Sequence, residues 1–391
     1  MSSDAPAPPA APAPGNRTSL PLVFAEAGRQ LDICNACRYC EGLCAVFPAL
    51  ERRSVFENGD ISQIANLCHD CRACFDACMY SEPHEFQLNI PKALTAVRAE
   101  DYRRYVWPRR VPRLFRGWTG VFSGAVIASL VVVAISVLQV GWSGLLIENS
   151  GPHSPYDLIS SNVTLLILFA PFGYSAVVIA AACRAYWREV GGAPGGMTGR
   201  AIRHAVWYAL TMRYLRGGGE ECYYPEDEKP SAGRRHLHAM VMYGFGLCTV
   251  STTAAAFMQH GFALEPPYDP LSVPVITGTV GGIGLVVGCA GLLLLKAKAS
   301  KVTSFAQMTV KDYGFLVGLE FLALTGLLTL FVRHTPAFGI VYLVHLASVV
   351  LSFGMAPYSK FVHLVYRFLA VVRDNLEREH EAATKDAERT A

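Results

Sequence analysis

Six long apolar runs shape this sequence, at residues 118–141, 163–187, 237–262, 273–296, 313–332 and 338–361. Each offers roughly the 20 residues that a helix needs to cross the hydrocarbon of a bilayer. They predict six membrane spans. Ahead of them the pattern changes. Between residues 45 and 67, Phe47, Leu50 and Val55 recur at partly helical spacing, and Asp60 is placed to cap a short helix carrying Ile61, Ile64 and Leu67. An amphipathic helix is expected over residues 201–215, with Ile202, Val206 and Ala209 on one face and Arg203, Arg213 and Arg216 off it. Such a helix suits the membrane surface or a docking partner. Gly217, Gly218 and Gly219 end it; with no strand before them and no Lys-Ser or Lys-Thr after, they read as a breaker and not as a phosphate loop.

Composition agrees with membrane spans. Of 391 residues 52% are hydrophobic and only 17% charged, and the mean hydropathy is +0.29, too apolar for a soluble protein of this size. A net charge of +3 conceals strong asymmetry. Arg98, Arg103, Arg104, Arg109, Arg110, Arg113 and Arg116 crowd the entry to the first span, whereas residues 142–160 hold no Lys or Arg. The next connection carries Arg184, Arg188, Arg200, Arg203, Arg213, Arg216, Arg234 and Arg235, and residues 261–272 again have none. Lys296, Lys298, Lys301 and Lys311 follow, Arg333 stands alone on the opposite side, and Lys360, Arg367 and Arg373 close the series. By the positive-inside rule both termini and the region before the spans face the cytoplasm, in a multi-pass protein of the inner (cytoplasmic) membrane. Trp107, Trp118 and Trp187 fit an aromatic belt on that side. The basic runs flank apolar segments, where lipid head groups account for them, so no nucleic-acid partner is expected.

The chemistry lies before the first span. Cys34, Cys37, Cys40 and Cys44 are spaced C-x2-C-x2-C-x3-C, and Cys68, Cys71, Cys74 and Cys78 repeat that spacing. Tight triplets suit the corners of a [4Fe-4S] cube, and in two-cluster ferredoxins the fourth Cys of each run ligates the other cluster. The expected sets are therefore Cys34, Cys37, Cys40 and Cys78 for one cube, and Cys68, Cys71, Cys74 and Cys44 for the second. Zinc would prefer two well-separated C-x2-C knuckles. The usual Pro after the fourth Cys is replaced by Ala45 and Met79, with Pro48 and Pro83 a few residues on. Residues 1–15 are Ala- and Pro-rich, with neither a basic start nor an apolar run, so they do not read as a secretory signal and the thiols are expected to stay reduced. Cys183, Cys222, Cys248 and Cys289 have no cluster spacing and read as fillers.

Histidine inside a bilayer lacks hydrogen-bond partners and so is a functional candidate. His236, His238 and His260 mark the ends of the third span, His334 the end of the fifth, and His345 and His363 are placed in the sixth. Haem b in helical anchors takes one His from each of two helices. His345 and His363 are 18 residues apart, near opposite leaflets at about 1.5 Å per residue. His238 pairs in depth with His363, and His260 with His345, giving one or two haem sites, with His334 as the substitute ligand. The competing reading is interfacial histidine, since Arg234, Arg235, Lys360 and Arg367 flank these positions; His204 reads as solvated. Glu320 is a carboxylate within the fifth span. It fits equally proton uptake or a quinone contact, and a partner for a polar group in the bundle.

The expected fold is all-α: a disordered Ala/Pro-rich lead (1–20), a helical two-cluster ferredoxin domain (21–110), a six-helix transmembrane domain (111–370) with a cytoplasmic loop at 188–235, and a charged tail (371–391). The paired Cys runs, with Pro83-His84-Glu85-Phe86, Asn89-Ile90-Pro91-Lys92 and Tyr105-Val106-Trp107-Pro108, resemble the tricarballylate and citrate utilization protein B family. That resemblance implies a membrane electron shuttle with two [4Fe-4S] clusters and b-type haem, which reoxidises a separate FAD-dependent tricarballylate dehydrogenase and passes electrons to quinone. No G-x-G-x-x-G lies between a strand and a helix, so hydride chemistry belongs to the partner. A membrane-anchored iron-sulfur redox sensor is the main rival. A transporter would need broken spans or a repeat; Gly278, Gly281, Gly282 and Gly284 read instead as close helix packing.

Overall fold

The computed structural model describes residues 20–44, 46–111, 118–144, 155–216, 222 and 230–390, and these contain helices but no strand. Nearly all of the Ala/Pro-rich lead, Ala45, Arg113, Arg116 and the run Gly217 to Gly219 lie outside the described residues. Helix α1 (Leu20–Cys37) runs into the first quartet and buries Phe24, Ala27 and Leu31 along one face. Between the quartets lie α2 (Phe47–Glu51) and α3 (Asn58–Leu67). The second helix of this insert begins three residues before the position expected for it. Glu57 is the N-cap, and Asp60, at the third helical position, accepts a bond from the Glu57 backbone N–H at 3.1 Å, one half of a capping box. The short α4 (Ala73–Asp76) sits inside the second quartet. Helix α5 (Ile90–Arg104), capped by Asn89 accepting from the Lys92 N–H at 3.2 Å, packs on α1 and α3.

The membrane-length helices begin with α6 (Trp118–Gly144), interrupted at Gly141 (φ 71°), and α7 (Ser161–Glu189). After the surface helix α8 (Gly199–Thr211) come α9 (Gly233–Phe262), α10 (Val273–Lys298), α11 (Ala306–Phe331) and α12 (Phe338–Met355). Among the described residues six helices are long and apolar enough to cross a membrane, consistent with a multi-pass protein in a bilayer. Helix α9 lies along α10, α10 against α11 and α11 against α12, while α12 also contacts α6 and α7. Glycine permits the tightest of these contacts, because a Cβ on Gly281 would lie 2.7 Å from the Gly244 carbonyl oxygen.

The sixth span departs from expectation. A single helix over 338–361 does not form: α12 stops at Met355, turns of 3-10 helix cover Ala356–Tyr358 and Lys360–Val362, and α13 (His363–Thr390) then begins. Pro357 lies in the break, where it lacks the N–H that would continue the helix. His363 therefore opens a new helix and does not share one with His345. A boundary at residue 370 falls inside α13. Tyr366, Ala370, Val371, Val372 and Leu376 join a hydrophobic core shared with α1, α2, α3, α5, α8 and the end of α7. Ion pairs fasten the same surfaces: Arg52 to Asp374, Arg53 Nη2 to Glu377 Oε1 at 2.7 Å, and Arg104 to Glu189.

Helix α8 packs on α13 through Ala201 and Ala205, and Asn375 Nδ2 donates to the Ala201 carbonyl at 3.1 Å. Ile202, Val206, Trp207 and Leu210 are left exposed. Its C-terminal end is tied to the third span by the Tyr243 hydroxyl, which donates to the Leu210 carbonyl. The apolar face seen in the sequence is thus turned away from the protein, beside a lipid-facing helix.

Candidate functional site

The eight quartet cysteines border two neighbouring cavities. One, of ≈ 20 Å³, is lined by Cys34, Cys37, Cys40 and Cys78. The other, of ≈ 50 Å³, is lined by Cys44, Cys68, Cys71 and Cys74, together with Cys34 and Cys40 on the shared wall. Cys78 thus lies with Cys34, Cys37 and Cys40, and Cys44 with Cys68, Cys71 and Cys74, while Cys34 and Cys40 border both cavities. Helical turns make this arrangement. In both runs the residue after the second cysteine is an arginine in the left-handed region, Arg38 at φ 56° and Arg72 at φ 69°, which turns the chain around the cavity. Burial and neighbouring thiols push Cys34 up to about 12, and burial pushes Cys71 up to about 12; Cys44 and Cys74 also rise. Such thiols become thiolates when a metal supplies positive charge. Eight thiols spread around two cavities are a donor set that two cubes could take at their corners.

The second cavity lies against the bundle. His69, between Cys68 and Cys71, stacks on Tyr214 at 5.2 Å, and burial, with Arg367, Arg234 and Arg98 nearby, holds it neutral. Arg367, in the first turns of α13, donates to the Cys68 carbonyl at 2.7 Å and to the Asn66 carbonyl at 3.2 Å. One turn earlier on that helix is His363. Its ring stands 6.3 Å from the ring of His238, centroid to centroid, with the planes at 87°. His363 Nδ1–H donates to the Lys360 carbonyl at 2.6 Å, which leaves Nε2 with its lone pair. Burial, with Lys360 and Arg367 beside it, pushes His363 down to about 3, so the ring is neutral as a ligand must be. The turn that presents this carbonyl is anchored by charge, since Lys360 pairs with Asp312, which also takes Lys296 Nζ at 2.6 Å. His238 Nδ1 is buried without a hydrogen-bond partner. Two imidazoles in ring contact form a donor set that a haem iron could take.

The outer pair is not brought together. His260 is exposed at the end of α9, which packs on α10, whereas His345 on α12 meets Thr325 Oγ1 of α11 at 3.1 Å. Sharing a depth in the bilayer does not place two helices side by side. His334 is exposed and accepts from Arg333 Nε at 3.0 Å, and His236 and His204 are exposed as well. Glu320 is half-buried on α11 near Cys289 of α10, with Oε2 lacking a partner. Sequence reading missed the arginines that bond to the Cys68 and Asp70 carbonyls. Arg98, Arg234 and Arg367 were counted there as positive-inside charges, although the matched positions of Arg38 and Arg72 were visible in the repeat.

Fold and site define a class: a membrane protein of several spans with a helical ferredoxin-like domain built on paired cysteine quartets. Comparison with known proteins narrows it. The family model for citrate utilization protein B matches residues 121–384, more than half of the chain, and that for the citrate utilization protein B Fer4-like domain matches residues 27–104. Citrate utilization protein B of Escherichia coli is 38% identical over 354 residues, 90% of this chain and 92% of the relative. No solved structure matches. The chain belongs to the citrate utilization protein B family, the one its cysteine runs and the 83–86, 89–92 and 105–108 motifs resemble. The Fer4-like match suggests iron-sulfur clusters.

Proposed function

We propose that this protein is an electron carrier of citrate or tricarballylate utilization in the inner membrane, taking electrons from a reduced FAD-dependent dehydrogenase and delivering them to the quinone pool. The name of the Escherichia coli relative supports the metabolic setting. Two [4Fe-4S] clusters, held by Cys34, Cys37, Cys40 and Cys78 and by Cys44, Cys68, Cys71 and Cys74, and a b-type haem between His238 and His363, supply one-electron chemistry that splits the two-electron delivery of a flavin. The chain's own residues set the order. Tyr39 and Met79, 66% and 55% exposed beside the first cavity, leave that side open to a donor. Arg367 joins the second cavity's wall to the helix that presents His363. Lys360 and Asp312 hold the turn that orients the His363 ring. Glu320 is the candidate contact for quinone or its proton. The basic connections gather at the end of the bundle that carries the cysteine domain, which supports a cytoplasmic position for that domain and both termini.

One observation carries this reading: the His238–His363 pair lies a single helical turn from an arginine bonded to the carbonyl of a quartet cysteine. Reduced-minus-oxidised optical spectra of purified membranes test it. A b-type band should appear on adding reduced dehydrogenase, fade on adding quinone, and vanish in His238→Ala and in His363→Ala. It should survive His260→Ala. Iron and sulfide without any haem band would favour the redox sensor, and a colourless protein holding zinc would refute both.

A further inference from the structure

The two cavities are chemically unequal although their cysteine spacing is the same. Around the loop from Cys68 to Cys74, four guanidinium groups converge from separate parts of the fold. Arg98 of α5 donates to the Cys68 carbonyl at 2.6 Å and to the Ala65 carbonyl at 3.0 Å. Arg367 of α13 shares the Cys68 carbonyl at 2.7 Å, and Arg234 of α9 donates to the Asp70 carbonyl at 2.8 Å. Arg72, in the loop itself and 2% exposed, reaches the Ser300 carbonyl at 3.0 Å. Among the described residues, Asp70 and Asp76 bring carboxylates into or beside the same loop. At the first cavity the counterpart of Arg72 is Arg38, which is exposed and folds back onto the Asn35 carbonyl at 3.0 Å, with Glu41 just beyond the third cysteine.

We propose that Arg72, Arg98, Arg234 and Arg367 make the cluster held by Cys44, Cys68, Cys71 and Cys74 the stronger electron acceptor of the two, so that electrons run inward from the exposed cluster. The proposal rests on the iron-sulfur reading given above. Reduction adds one negative charge to a cluster, and burial alone disfavours that extra charge, which would make the inner cluster the weaker acceptor. Fixed guanidinium groups oppose this, and they act strongly where water is excluded, whereas the charge on Arg38 is screened by solvent. In the transfer the outer cluster is oxidised and the inner one reduced by a single electron. The reduced flavoprotein supplies that electron, and no bond or proton changes place. The hydrogen bonds end on backbone carbonyls, so the arginines are positioning and potential-setting groups and not ligands.

An anaerobic potentiometric titration of the full-length protein, followed by electron paramagnetic resonance, tests this once iron and sulfide have been counted. The wild type should give two separate waves. Arg234→Gln and Arg367→Gln should each lower the reduced-to-oxidised ratio of the more positive wave about tenfold at fixed potential, about 59 mV for a one-electron couple. Arg234→Lys should restore most of that shift, and Arg38→Gln should move neither wave. Coincident waves in the wild type would overturn the proposal, whatever the variants do. So would movement of the less positive wave, or no movement, in variants that retain their iron. A preparation with no clusters at all would instead sink the iron-sulfur reading itself.

Discussion

Replacing Gly281 by Ala tests how the third and fourth membrane helices are joined. A Cβ built there lies 2.7 Å from the Gly244 carbonyl oxygen and 2.9 Å from both the backbone nitrogen and Sγ of Cys248. Ordinary contact begins near 3.4 Å, so the methyl group arrives about 0.7 Å too close to a carbonyl that cannot rotate away. The helices must separate, and overpacking of this kind costs about 1 to 3 kcal/mol, or about 5- to 150-fold in an equilibrium constant. Helix α9 also carries His238, six residues from Gly244, about 9 Å along the axis. A displaced α9 should therefore loosen the His238–His363 pair as well. Thermal unfolding of the detergent-solubilised protein measures the cost, with two substitutions as controls. Gly284→Ala meets its nearest atom, the Met240 carbonyl oxygen, at 3.4 Å, and Gly246→Ala meets nothing within 4 Å. Both should match the wild type or gain slightly, because Ala is the better helix former by up to about 1 kcal/mol. A Gly281→Ala protein as stable as Gly246→Ala would refute the close-packing argument.

Ending the chain after residue 370 should release the cysteine domain from the bundle, because Val371, Val372 and Leu376 leave the core; the milder Leu376→Ala should cost about 2 to 5 kcal/mol, and limited proteolysis of the region before residue 110 reports either loss. Burial pushes Asp101 up to about 7, where it accepts from Ser62 Oγ and Asn66 Nδ2, each at 3.0 Å. A carboxyl whose folded value lies above its unfolded one contributes stability that is complete below about 4 and disappears as pH rises through about 7. The melting temperature should therefore fall between about pH 4 and 7 in the wild type and fall less in Asp101→Asn, and equal slopes would remove Asp101 as the cause. The exposed face of α8 should lie in lipid, so brominated phospholipid should quench tryptophan emission more in the wild type than in Trp207→Phe; equal quenching would leave that face in water.

Some of this protein could be read directly along the chain. Partition into a bilayer depends on contiguous residues, so the six apolar runs identified the spanning helices, and the first run even ended at Gly141, where the helix breaks. Thiol spacing is likewise local, and it marked the eight cysteines that border the two cavities. The error at Asp60 was one of position within a cap, since either Glu57 or Asp60 satisfies the same local pattern. Residues far apart in sequence were harder. His260 and His345 share a depth, but depth is one coordinate and helix adjacency needs two more.

Local sequence marks what each stretch is made for: lipid, a cysteine quartet, a helix start. Which groups meet depends on how distant helices pack. The broken sixth span turns α13 back onto the cysteine domain, and Arg367 thereby reaches the carbonyl of Cys68, 299 residues away along the chain. The same fold makes Arg98 and Arg234 partners of one loop, although their charges look in sequence like ordinary markers of the inner membrane face. The physical reason is range. Hydropathy and cysteine spacing act within a few residues, whereas a buried guanidinium takes whichever carbonyl the packing of distant helices leaves without a donor.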